Sequence, residues 1–190
     1  MREYRDRFKD HQTGPHRALL AGALSIATIR EFAACVGAVF PDNELVVGDI
    51  EGIDTKAFAE DGPAQFQYAN VISLDGSLGE FNTIHTNYLL RSLIAKVTDR
   101  DTARRIFFQG AHRLLVDNGR LIMAELGSPE DAEFLTEELL GTGFSSVMAY
   151  QFRGFRDRRS LDAFIGGTNP IPLPEDIELG KRSALLVAVK

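Results

Sequence analysis

The sequence predicts an α/β fold, a doubly wound and mostly parallel sheet with helices on both faces. Apolar runs of strand length alternate with segments of helical period along almost the whole chain, the pattern of a parallel sheet covered on both sides. The run Glu44 to Asp49 is dense in β-branched residues, as a strand buried on both faces requires. With 190 residues, 44% hydrophobic and 25% charged, the chain suits one globular domain with a packed core. In such sheets ligands bind at the carboxyl ends of the strands, so candidate site residues are sought there.

Taken in order, residues 1–17 form a charged arm in which Tyr4 and Phe8 share one face of a short docking helix. Gly14 and Pro15 break it, and the apolar run 18–24 is the first strand. Ile26, Ile29, Ala33, Val36 and Phe40 recur at steps of three and four, the stripe of an amphipathic helix. Residues 44–49 give the second strand, 54–60 a short helix and 65–72 a third strand. A turn at Asp75 to Ser77 precedes a fourth strand over 81–85. Helical structure begins near Leu90, Leu93 and Val97, resumes around Asp101 and runs to Leu115. Asp117, Asn118 and Gly119 predict a turn before a strand over 120–125. Ser128, Pro129 and Glu130 carry the signature of a helix start, with a side-chain acceptor, a proline at the first helical position and an acidic residue at the positive dipole end. That helix reaches Gly141 or Gly143, and strands over 145–151 and 183–189 close the chain.

Composition excludes several functional classes. A formal charge of -6 supplies no global positive field for nucleic acid or anionic lipid, so no nucleic-acid partner and no membrane association are expected. The single cysteine, Cys35, forms no intrachain disulfide, and no apolar run is long enough to span a bilayer, which together point to a cytoplasmic setting. His11, His16 and His112 have no metal-ligand spacing, so no metal site is expected. Arg153, Arg156, Arg158 and Arg159, interleaved with Phe152 and Phe155, read as a solvated basic loop or as a local receptor for an anion.

Three segments carry a resemblance to a known family. Residues 81–93 (FNTIHTNYLLRSL) are similar to the fourth strand and following turn of the class I S-adenosylmethionine-dependent methyltransferases, 110–125 (GAHRLLVDNGRLIMAE) to their helix, glycine turn and fifth strand, and 134–144 (FLTEELLGTGF) to the approach to their sixth. The resemblance implies a single Rossmann-like domain over 18–190, with seven strands of which the last is antiparallel. It also implies S-adenosylmethionine as cofactor, and a small-molecule substrate as methyl acceptor. Where the family carries a glycine-rich loop after strand one, this chain reads Gly22-Ala23-Leu24-Ser25-Ile26, with a single glycine.

Residue by residue, the resemblance places Gly22, Ser25, Asp49, Asn70 and Asn87 around the cofactor. Asp49, with Glu51 as the next residue to consider, matches the carboxylate that accepts the ribose hydroxyls. Asn70 stands where an acceptor faces the adenine amino group, and its amide oxygen can accept that bond. Asn82 replaces an aspartate common in strand four, expected near the amino-acid end of the cofactor. His85 and Tyr88 are the catalytic candidates, at the turn that family members present to the acceptor. Each has an ordinary reading as well. Asp49 ends a strand, Gly22 permits a tight turn, Asn87 caps a helix, Tyr88 packs in the core and His85 is a structural hydrogen bonder. Two functions remain open on the sequence: a methyltransferase, or a non-catalytic methyltransferase-like binding or assembly subunit that has lost the cofactor. A nicotinamide-dependent oxidoreductase ranks below both, because no G-x-G-x-x-G follows the first strand.

Overall fold

The computed structural model describes residues 15–22, 26–49, 65–68, 71–74, 76–87, 89–90, 99–126, 129–152 and 183–190. Within them lie seven strands, β1 (His16–Ala21), β2 (Asn43–Asp49), β3 (Gln65–Tyr68), β4 (Phe81–Asn87), β5 (Leu115–Leu126), β6 (Ser146–Phe152) and β7 (Ser183–Val189). Three α-helices accompany them, α1 (Ile26–Val39), α2 (Arg100–Leu114) and α3 (Pro129–Thr142), with a 3-10 turn at Gly76–Leu78. The arm over 1–14, the expected helix over 54–60 and the expected cap at Ser128 lie outside the described residues.

The strands form one sheet in the order β3-β2-β1-β4-β5-β7-β6. Pairs among β1 to β5 are parallel, while β7 runs antiparallel to both β5 and β6. Successive strands step outward from β1 to β3, and β4 then returns to the other side of β1. That reversal makes the β1/β4 boundary a topological switch point, where loops leave the sheet in opposite directions and open a crevice.

Alternation along the strands sorts side chains to two faces. Ala18 and Leu45 pack with Val36, Phe32, Ala33 and Phe40, so α1 covers one face. Leu19, Ala21, Ile84, Leu121 and Met123 join Phe107, Phe108, Ala111 and Leu139 in the larger core on the other, beneath α2 and α3. Phe107 and Phe108 are fully buried, and each such side chain removed from water contributes about 1.5–3 kcal/mol. Gly110 lets α2 lie tight against the turn over 71–74, since a Cβ there would stand 2.6 Å from the Ser73 carbonyl oxygen. Arg104 of α2 forms a two-pronged ion pair with Glu138 of α3 and lies over the Phe134 ring at 4.7 Å, which ties the two helices together.

Several boundaries differ from those the sequence predicts, among them the end of β4, which runs on to Asn87, and three with a visible cause. Strand β1 begins two residues early, because His16 is buried against the Phe40 ring and its amide donates to the Asp42 carbonyl. Strand β3 ends its described part at Tyr68, and Val71 and Ile72, expected as strand, belong to a turn over 71–73. Strand β5 begins at Leu115, directly after α2, and not after the expected turn at 117–119. Asn118, at φ +60°, absorbs the irregularity inside the strand. Its register against β4 jumps from Phe81↔Leu115 to Thr83↔Arg120, two steps on one strand against five on the other.

Candidate functional site

The carboxyl ends of β1, β2, β4 and β5 meet at one edge of the sheet. Register places Ala21 beside Gly48 of β2 and Thr86 of β4, Asp49 beside Tyr68 of β3, and Asn87 beside Ala124 of β5. Gly22, Asp49 and Asn87, distant in sequence, are thus strand-end neighbours at one edge of the sheet. Ser25, Asn70 and Tyr88 lie outside the described residues, as do the side chains of Asp49 and Asn87.

Gly22 turns the chain out of β1 at φ +77°, a left-handed conformation that favours glycine, while its amide donates to the Gly48 carbonyl at 2.9 Å. The space that its missing side chain leaves is taken by Leu89, whose Cδ1 lies 2.5 Å from where a Cβ would stand. Leu89 and Leu90, in helical backbone after β4, are both buried. The single glycine of this turn therefore brings the turns after β1 and β4 into direct contact.

Two buried polar residues lie at this edge, Glu125, which the sequence reading does not single out, and Thr86. Glu125, 4% exposed near the end of β5, accepts the Leu90 amide on Oε1 at 3.1 Å. Thr86, equally buried, has a hydroxyl without a hydrogen-bond partner. Strand alternation sets Thr86 on the same face as Met123 and Glu125. The sequence signal for Glu125 is an acid closing the apolar run LIMAE; Thr86 lies within the His85 to Tyr88 segment that the resemblance places at the ligand border.

His85 occupies a different place from the one expected. Its ring lies on the α1 face of β4, edge-on to Phe32 at 4.9 Å, and its Nε2 is 3.0 Å from the Thr83 hydroxyl. The same hydroxyl meets Nε2 of His16 at 3.1 Å, and His16 stacks on Phe40. Burial pushes His16 down to about 4; burial, then the neighbouring His16, push His85 down to about 3. Both rings are neutral near pH 7, packed between sheet and helix instead of presented at the strand-end turn. Asn82 also departs from expectation. As the second residue of β4 it lies at the amino edge of the sheet, opposite the candidate edge, where its amide oxygen accepts the Arg17 amide at 2.6 Å.

Many solved structures share this arrangement. Phosphoethanolamine N-methyltransferase 2 of Haemonchus contortus, in complex with phosphomonomethylethanolamine and S-adenosylhomocysteine, matches 97% of this chain with 51% of its own, at a TM-score of 0.57 and 13% identity. A TehB-like S-adenosylmethionine-dependent methyltransferase of Corynebacterium glutamicum matches 98% with 87% of its own, at 0.58 and 13%. A methyltransferase of Pyrococcus furiosus matches 99% with 82%, at 0.57 and 12%. The chain has the class I methyltransferase fold. It spans about half the length, or less, of several structures that it matches. No protein-family model and no curated protein sequence matches it. Among the described residues no helix is long and apolar enough to cross a membrane, and no three of His, Cys, Asp and Glu gather as a metal-ligand set.

Proposed function

We propose that the protein is an S-adenosylmethionine-dependent methyltransferase acting on a small-molecule acceptor. The observation that carries this reading is the meeting of Gly22, Asp49 and Asn87 at the carboxyl edge beside the β1/β4 switch point. The described residues suit that cofactor in two respects: an acid ends β2, and a buried Thr86 hydroxyl at the same edge lacks a partner. In this reading Asp49 accepts the ribose hydroxyls, Asn70 the adenine amino group, and Gly22, Ser25 and Asn87 border the remainder. When bound, the cofactor supplies a methyl group activated by its sulfonium. What the protein contributes is alignment of the acceptor in a site that excludes water, which needs no protein base, so the inward placement of His85 is compatible with the reaction.

One observation favours the second reading, a methyltransferase-like binding or assembly subunit without cofactor: Leu89 fills the space beside Gly22. Calorimetric titration with S-adenosylhomocysteine separates the two. Saturable binding at micromolar to millimolar concentration, weakened at least tenfold by Asp49→Ala, is the outcome expected of the enzyme, because each charge-assisted bond to a ribose hydroxyl contributes roughly 1.5–3 kcal/mol. No heat at millimolar ligand would leave the binding-subunit reading.

A further inference from the structure

We infer that Glu125 is a positioning residue that holds the turn after β4 against the turn after β1, an inference resting on the cofactor reading of this edge. Its carboxylate closes the buried run of β5 where a leucine or methionine would continue the apolar pattern. Burying a carboxylate is costly unless it is engaged by donors. At this site the Leu90 amide, 35 residues away in sequence, donates to Oε1 at 3.1 Å. A bond that a backbone amide donates to a carboxylate is among the stronger hydrogen bonds in a protein interior.

The consequence runs through Leu89. Fixing the backbone at Leu90 sets where the adjacent side chain goes, and Leu89 goes to the notch that Gly22 leaves open. Glu125 thus determines, through one bond and one contact, how closely the two turns at the switch point approach. Thr86, two register positions before Glu125 on the same face, has its unpartnered hydroxyl beneath that junction. Glu125 itself, already engaged by the Leu90 amide, serves the ligand site by fixing its wall.

Two variants of nearly equal volume separate the acceptor from the packing. Glu125→Gln keeps an oxygen that accepts the Leu90 amide, whereas Glu125→Met fills the space without one. Amide hydrogen exchange at Leu90 should quicken at least tenfold in Glu125→Met and stay within about threefold of the native rate in Glu125→Gln. S-adenosylhomocysteine binding should weaken at least fivefold in Glu125→Met and recover in Glu125→Gln. Exchange at Leu90 unchanged in Glu125→Met would overturn the proposal, as would equal loss in both variants. Should Glu125→Met not fold, the native protein decides alone, since an unprotected Leu90 amide is incompatible with the bond. If the native chain binds no S-adenosylhomocysteine, the cofactor reading fails, while the exchange measurements still judge the positioning role separately.

Discussion

At Gly22 two constraints meet: a backbone at φ +77° and a neighbouring Leu89 carbon 2.5 Å from any added Cβ. A non-glycine residue in the left-handed region costs about 1–3 kcal/mol, so Gly22→Ala should lower the urea midpoint accordingly. Shortening Leu89 in the same chain relieves the clash but not the backbone strain. The double variant Gly22→Ala/Leu89→Ala should therefore be less destabilised than the sum of the single variants, and strict additivity would deny the contact. The other residue-scale device is the pair of imidazoles on Thr83. The Thr83 hydroxyl has one proton and two lone pairs, so at most one of the two rings accepts from it and at least one donates its Nε2–H to the oxygen. Both are neutral in the fold, at about 4 and about 3, whereas in the unfolded chain they protonate near the ordinary value of 6.5. The unfolded state takes up protons first, so their contribution is complete above about pH 6.5 and is lost as pH falls toward the folded values. The slope reaches at most ~1.4 kcal/mol per pH unit for each ring. Urea midpoints measured from pH 7 to 4.5 should fall, and the fall should flatten in His16→Gln/His85→Gln; an undiminished slope would assign it to other groups.

Elements with strong local signals were readable from the sequence, and those shaped by distant partners were less so. Helix α1 follows the stripe of Ile29, Ala33 and Val36, and β2 follows its β-branched run, because both patterns act within the element. Strand β5 starts earlier than its local signal suggests, since Asp117-Asn118-Gly119 is ordinary turn chemistry, and here it falls in the irregularity between Leu115 and Arg120, the two positions that pair with β4. The end of β3 was misplaced for a related reason: an apolar Val71 and Ile72 suit a strand, yet α2 packs on them as a turn, with Gly110 giving clearance. The α2–α3 pair offers an element-scale test. Arg104 is 8% exposed and grips Glu138 through two nitrogens, a geometry that lysine cannot reproduce. Arg104→Lys should cost roughly 1–3 kcal/mol in urea denaturation. Asp101→Ala, which removes only the exposed i,i+3 partner of the same arginine, should stay within about 0.5 kcal/mol. Equal costs would mean that Glu138 is not the anchoring partner.

For the whole molecule, the sequence offers a candidate sheet edge but not how its turns fit together. Asp49 and Gly22 were legible because a strand end and a lone glycine are local signals, whereas Leu89 against Gly22 and Glu125 against Leu90 join residues 67 and 35 positions apart. That fit also decides between the two readings of function, through ligand-linked stability. A ligand that binds only the folded state at a hundred times its dissociation constant stabilises by about 2.7 kcal/mol. For a domain of 150–250 residues each kcal/mol moves the melting temperature by about 2–4 °C, so S-adenosylhomocysteine at that excess should raise it by roughly 5–11 °C. NAD, lacking its glycine fingerprint here, should leave it unmoved. If Leu89 is a wall of a working cofactor site, Leu89→Ala should melt at lower temperature and lose part of the ligand-induced rise. If Leu89 instead plugs a site that has lost its ligand, the native chain should show no rise and Leu89→Ala should acquire one. A chain in which neither form responds to S-adenosylhomocysteine would keep the fold and abandon the enzyme.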